Sequence, residues 1–118
     1  MDHHKLVLPE HMNDQGALFG GYLLKWLDEY AYIMVNIDYP NRNFLTIALE
    51  NVVFKKPIAC GQILRFAVNE SKMGNTSVEY HVDVFGEKGS ENQTNPLFQT
   101  NITFVSVDED GNKKSIIN

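Results

Sequence analysis

The sequence predicts an α+β domain in which one long central helix is wrapped by a curved antiparallel sheet. The first observation is that apolar residues recur at helical spacing between Asn13 and Asn36. The second is that, from Phe44 onward, apolar residues alternate with polar ones as they do in half-buried strands. The third is size, since 118 residues with 43% hydrophobic side chains suit a single domain over residues 1–118.

The predicted helix begins near Ala17 or Leu18 and ends around Asn36–Asp38, before Pro40. Its apolar residues cover most of the circumference, which is typical of a buried helix: Leu18, Phe19, Tyr22, Leu23, Trp26, Leu27, Tyr30, Ile33 and Met34. The remaining residues form a narrow stripe of Gly21, Lys25, Asp28, Glu29 and Tyr32.

This stripe has two interpretations. It can be a solvated face with a Lys25–Glu29 pair, as most charged stripes are. Alternatively, Asp28 is a carboxylate held at the wall of a cleft, near a helix start where Gly20 and Gly21 leave backbone N–H groups open. A carboxylate together with an oxyanion-binding helix end suits the hydrolysis of an acyl group.

The β-strands predicted around the helix are joined by short turns, which makes them antiparallel. A short edge strand over Lys5–Leu8 precedes the helix. In the second strand, Leu45, Ile47, Leu49 and Val53 are expected on one face and Thr46, Ala48 and Glu50 on the other. The strands after the helix cover Phe44–Lys56, Gln62–Lys72, Thr76–Phe85 and Leu97–Val107.

Composition excludes several classes of function. The net charge of −5 argues against broad binding to nucleic acids or anionic membranes, and no stretch reaches the roughly 18 apolar residues of a membrane span. Cys60 is the only cysteine, so we expect a small buried side chain, no intrachain disulfide and a reducing cytoplasm. The histidines lack metal-ligand spacing, so we expect no metal site and a solvated position for each: His3, His4, His11 and His81.

Five motifs carry a family resemblance. A turn rich in Asn and Gly over Asn13–Gly21, followed by Trp26-Leu27-Asp28-Glu29, resembles the acyl-CoA hydrolase family of hotdog-fold thioesterases, which includes bacterial broad-range and brain-type enzymes. The likeness covers nearly the whole chain in one register. The other three motifs are Thr46–Phe54 followed by Lys-x-Pro and Gly61, the turn Gly74-Asn75-Thr76-Ser77, and Phe104–Asp108.

The resemblance implies a hotdog fold and an acyl-CoA thioesterase that needs no cofactor beyond the coenzyme A of its substrate. Asp28 matches the family's catalytic carboxylate, as general base or nucleophile, and Asn13 matches an asparagine that places the thioester or the water. Gly20 and Gly21 match the helix end that polarises the carbonyl. The substrate-binding positions implied are Thr46 and the turn residues Gly74, Asn75, Thr76 and Ser77. Family dimers build each site from two subunits, which implies a homodimer or a dimer-based tetramer or hexamer.

The chain departs from the family pattern at several positions. Asn75 stands where an Arg is usual, which removes a charge that could meet the phosphates of coenzyme A. Gln15 and Ala17 replace the common Asn and Asp, and Tyr30 and Tyr32 are bulkier than usual. Two rivals stay open: a non-catalytic hotdog module that binds or senses acyl-CoA, and an acyl dehydratase. An acyl dehydratase usually uses a histidine beside the helix, and no histidine lies between Met12 and His81. The dehydratase is therefore the weaker rival.

Overall fold

A computed structural model describes residues 1–54, 56–87 and 95–117. It contains one α-helix, α1, at Gly20–Asp38, and a short 3-10 helix at Pro9–His11. Lys55, which the sequence places within the second strand, lies outside the described residues. The strands are β1 (Asp2–Leu6), β2 (Asn43–Phe54), β3 (Ile63–Met73), β4 (Ser77–Gly86) and β5 (Phe98–Val107).

The strands form one antiparallel sheet in the order β1-β3-β4-β5-β2. Strand β4 lies at the centre, where Val82 pairs with Val68 of β3 and with Thr100 of β5. Strands β1 and β2 are the two edges, and neither is followed by a further strand in the described part of the chain. One helix against one antiparallel sheet confirms the predicted α+β hotdog class.

The core lies between α1 and the inward face of the sheet. Leu23, Leu27 and Ala31 recur every four residues along α1 and are buried, as a helix face against a sheet requires. Burying one such leucine stabilises the fold by about 1.5–3 kcal/mol. The sheet contributes the alternating inward side chains Phe66, Val68, Tyr80, Val82, Val84, Phe98, Ile102 and Phe104.

Two tyrosines fix the C-terminal end of α1 against the sheet. The Tyr80 hydroxyl donates to Asp38 Oδ2 over 2.6 Å, and the Tyr39 hydroxyl donates to Glu70 Oε1 over 2.5 Å. Burial, as the largest cause, and the hydrogen bond to Glu70 raise the pKa of Tyr39 to about 12. Burial and the bond to Asp38 also raise the pKa of Tyr80. Both hydroxyls therefore stay protonated donors at neutral pH and hold the helix in a fixed orientation.

Two sequence-based boundaries need correction. The helix begins at Gly20 and not near Ala17, because the Leu18 and Phe19 amides donate to the carbonyls of Ile58 and His11. The first strand is Asp2–Leu6 and not Lys5–Leu8. Its edge position is as expected. No helix in the described ranges is long and apolar enough to cross a membrane.

The simple alternation predicted for β2 is wrong. Its register against β5 shifts between Thr46 and Ala48 and again between Glu50 and Val53. Such bulges add a residue to one strand and reverse which side chains face the core. Of the apolar set, Leu49 is half-buried, whereas the remaining members stay exposed: Leu45, Ile47 and Val53.

Candidate functional site

An open groove of about 480 Å³ runs between α1 and the beginning of β2. Its helix wall contains the polar stripe, and its strand wall contains the residues from Phe44 to Thr46. At its centre the Thr46 hydroxyl donates to Asp28 Oδ1 over 2.8 Å. The structure thus brings together two of the residues singled out by sequence. The full lining is Lys25, Asp28, Glu29, Tyr32, Phe44, Leu45 and Thr46.

Local folding explains why Asp28 and Thr46 meet. Leu27 is fully buried, so the next residue on the helix, Asp28, lies at the border of the core and is half-buried. On the strand, Phe44 is buried against the helix, and the side chain two residues later points to the same side. Asp28 Oδ2 has no hydrogen-bond partner among the described residues. One carboxylate oxygen is therefore held by Thr46, and the other is left open to a ligand.

Asn13 shapes the loop that leads into the helix. Its Oδ1 accepts hydrogen bonds from the amides of Gln15 at 2.8 Å and Ala17 at 3.1 Å, and its own amide donates to Ala17 O. Gly16 takes a φ of 76°, which L side chains rarely adopt and which lets the loop turn. Asn13 does not line the Asp28 groove. Within one subunit, the structure does not bring these two predicted catalytic residues together.

The two glycines at the start of α1 leave little room for a side chain. A Cβ on Gly20 would lie 3.0 Å from Phe54 Cζ, and one on Gly21 would lie 2.7 Å from Phe19 Cε2. The amides of Gly20 and Gly21 have no acceptor in the described part of the chain, as expected for the first turn of a helix. Gly20 lines a second cavity of about 320 Å³, with Leu18, Leu23, Phe54, Lys56, Pro57 and Ile58.

The turn between β3 and β4 lies away from the Asp28 groove. Gly74 N donates to Ser77 O over 2.8 Å, and Ser106 N donates to Thr76 O over 2.7 Å. Asn75 Oδ1 accepts from the Ser115 hydroxyl over 3.0 Å, which ties the turn to the C-terminal segment. Gly74 and Ser77 line a separate cavity of about 180 Å³ with Glu50, Lys72, Glu79 and Thr103. No residue of this turn lines the groove around Asp28.

The solvated position expected for the histidines is wrong for His11. This residue lies near the start of α1, and nothing in the sequence indicated that it belongs to the surroundings of the site. His11 is only 6% exposed, with its ring 4.8 Å from those of Tyr22 and Trp26. Its position before the Asn-Gly turn was visible in the sequence, but its burial depends on a contact between the turn and the helix. Cys60 is exposed, so the expected buried thiol is also wrong.

The pKa values of two other histidines, His3 and His81, are shifted. Burial lowers the pKa of His3, which stacks on Tyr30 with ring centres 4.8 Å apart. Burial also lowers the pKa of His81, but hydrogen bonds to Asn101 and Asp83 and the nearby carboxylate charges outweigh it, so this pKa is raised. Within residues 1–54, 56–87 and 95–117, no three His, Cys, Asp or Glu side chains are grouped to hold a metal ion.

Comparison with known proteins supplies independent information on this fold and groove. A family model described as the thioesterase superfamily matches residues 15–92, more than half of the chain. Protein VdlD of Helicobacter pylori is 33% identical over 102 residues, which cover 86% of this chain and 56% of that protein. The chain therefore spans little more than half the length of this relative.

Two solved structures extend the comparison. A hexameric hotdog fold thioesterase of Campylobacter jejuni is 30% identical, with a TM-score of 0.82 over 97% of this chain and 87% of that one. An acyl-CoA hydrolase from Staphylococcus aureus, in complex with butyryl coenzyme A and coenzyme A, is 28% identical, with a TM-score of 0.87 over 98% of this chain and 70% of that one. The likeness in both cases includes the helix and the sheet that form the groove.

Proposed function

We propose, from the premise that this chain belongs to the thioesterase superfamily, that it hydrolyses acyl-CoA thioesters to a free acid and coenzyme A. The observation that carries this proposal is the Asp28 carboxylate, held by the Thr46 hydroxyl at 2.8 Å in an open groove. The solved relative with bound butyryl coenzyme A supports the substrate class. The proposed reaction uses no metal and no cofactor beyond the coenzyme A of the substrate.

The chemistry follows from the two oxygens of Asp28. Thr46 donates to Oδ1 and thereby fixes the plane of the carboxylate. Oδ2 can then take a proton from water as general base, or attack the thioester carbonyl as nucleophile to give an anhydride. In either route negative charge develops on the carbonyl oxygen, and the open amides of Gly20 and Gly21 are the donors proposed to stabilise it. In the general-base route, water adds to the carbonyl and the coenzyme A thiolate leaves, taking up the proton that Asp28 holds. In the nucleophile route, the thiolate leaves as the anhydride forms, and water then hydrolyses the anhydride to the free acid and restores the Asp28 carboxylate.

Helix geometry argues that one subunit cannot supply both halves of this site. Gly20 and Asp28 are eight residues apart on α1, which places them about 12 Å apart along the helix axis. A reacting carbonyl must lie within roughly 3 Å of the donors and of the attacking atom. The helix-end amides of one subunit are therefore proposed to act with Asp28 of another.

Strand β2 offers a way to bring the two halves together. It is an edge strand, and exposed apolar side chains including Leu45, Ile47 and Val53 lie along it, as expected for a surface that a second copy covers. Thr46, beside Asp28, lies near one end of β2, and Phe54, beside Gly20, lies at the other. If two β2 strands pair antiparallel across a twofold axis near their middle, the Thr46 end of one strand lies beside the Phe54 end of the other. Each Asp28 would then approach the Gly20 amide of the partner subunit.

We propose a homodimer on this basis, or a tetramer or hexamer built from such dimers. The thioesterase of Campylobacter jejuni is hexameric, which supports an assembly of several copies. The cytoplasmic location inferred from cysteine usage stays a prediction.

The proposal is tested by incubating the protein with acyl-CoA thioesters of increasing chain length and measuring the free thiol released. The wild-type protein should turn over, and Asp28→Asn should lower kcat by about 100-fold or more. Glu29→Gln is the matched control, because Glu29 is the neighbouring carboxylate of the same groove, and it should change kcat by less than about threefold. Wild-type protein that binds acyl-CoA without releasing thiol would instead establish the sensing module.

A further inference from the structure

His11 occupies a position between the first strand and the catalytic helix. It ends the short 3-10 helix, and its ring packs edge-on against Trp26 at 84° and at 59° against Tyr22, both on α1. Only 6% of the residue is exposed. A buried imidazole in an aromatic setting needs a hydrogen-bond partner for its ring nitrogens.

The partner of its Nδ1 is a backbone amide. Leu8 N donates to His11 Nδ1 over 3.0 Å, and His11 N donates back to Leu8 O over 3.0 Å. A backbone amide can only donate, so Nδ1 must carry a lone pair, and the ring is neutral with its proton on Nε2. These two bonds close the turn from Leu8 to His11.

The same residue is bonded to the start of the catalytic helix. His11 O accepts from Phe19 N over 2.9 Å, and Phe19 directly precedes the open amides of Gly20 and Gly21. The preceding amide is held by another segment, because Leu18 N donates to Ile58 O over 2.8 Å. The direction of the helix-end amides therefore depends on where the carbonyl of His11 is held.

We propose that His11 is a positioning residue whose unprotonated Nδ1 keeps the Gly20 and Gly21 amides aimed at the reacting carbonyl. This rests on the proposed thioesterase function. Without an acceptor for Leu8 N–H at this position the turn loosens, the carbonyl of His11 is no longer held in place, and kcat falls.

Two substitutions separate the hydrogen bond from the packing. His11→Phe keeps an aromatic ring but removes the acceptor, and it should lower kcat about tenfold at neutral pH while KM changes less than about twofold. His11→Asn keeps an acceptor, Oδ1, that does not titrate. It should therefore restore most of the kcat that His11→Phe loses. His4→Asn, at an exposed histidine on β1, is the control and should keep the wild-type kcat and KM.

The outcomes are distinct. Equal kcat in wild type and His11→Phe, or equal losses in His11→Phe and His11→Asn, would each overturn the positioning role. Absence of thiol release by the wild type would instead refute the proposed function. Should neither variant fold, nitrogen NMR of the wild type decides. An unprotonated Nδ1 at neutral pH, hydrogen-bonded to the Leu8 amide, supports the role, and a protonated Nδ1 at neutral pH overturns it.

Discussion

Replacement of Thr46 by valine tests whether the hydroxyl that bonds Asp28 contributes to catalysis. Valine keeps the shape of the side chain and removes only the donor to Asp28 Oδ1, which lies 2.8 Å away. A hydrogen bond to a charged group contributes about 1.5–3 kcal/mol. Thr46 is exposed, so the lower end applies, and about 1.5 kcal/mol corresponds to roughly a tenfold loss of kcat/KM.

The assay is thiol release from a CoA thioester at several substrate concentrations. We expect the loss mainly in kcat, because the bond orients a reacting group and does not enlarge the groove. Thr103→Val is a matched control, since Thr103 is a half-buried threonine of β5 that lies outside the Asp28 groove. In an Asp28→Ala background Thr46→Val should have no further effect. Independent, multiplying losses in the double variant would refute the inferred coupling.

Three further predictions follow from single contacts. Gly20→Ala should lower kcat about tenfold because its Cβ would lie 3.0 Å from Phe54 Cζ. Adding Phe54→Leu to this variant should restore part of kcat, and full activity of Gly20→Ala alone would contradict the prediction. Asn75→Arg should lower KM for CoA thioesters most at low salt, and lower Tm slightly through loss of the Ser115 bond; an unchanged KM at low salt would separate this turn from the phosphates. The raised pKa of His81 stabilises the fold fully below about pH 6.5, and this contribution is lost as the pH rises through the raised pKa. The Tm advantage over His81→Gln should therefore shrink as the pH rises above about 6.5, and an advantage that grows with pH would contradict this.

Much of the architecture could be predicted because it is encoded locally. The helical spacing of Leu23, Leu27 and Met34 and the twofold alternation of β4 each indicate one structure over many residues. Asp28 is one of two acids on the polar stripe of an otherwise apolar helix, and the family resemblance singled it out as the candidate carboxylate. Thr46 was expected to line the site from the family resemblance and not from spacing, and the structure adds its hydrogen bond to Asp28.

The features that the sequence did not reveal depend on tertiary contacts. The bulges of β2 arise from its pairing with β5, and a single strand carries no sign of such a register shift. The helix starts late because the Phe19 amide bonds to His11 across the loop. The burial of His11 likewise requires Trp26 to be in place. Helix and strand propensities depend on neighbouring residues only, so they do not reveal contacts with distant parts of the chain.

The most direct test of the composite site mixes two defective chains. Neither Asn13→Ala nor Asp28→Ala alone should turn over well, because each damages both sites of a homodimer. Random pairing after co-refolding makes about half of the dimers mixed, and each mixed dimer has one intact site of two. Roughly a quarter of wild-type activity should therefore return. A co-refolded sample no more active than its separate parents, with subunit exchange verified by differential tags, would contradict a site shared between subunits.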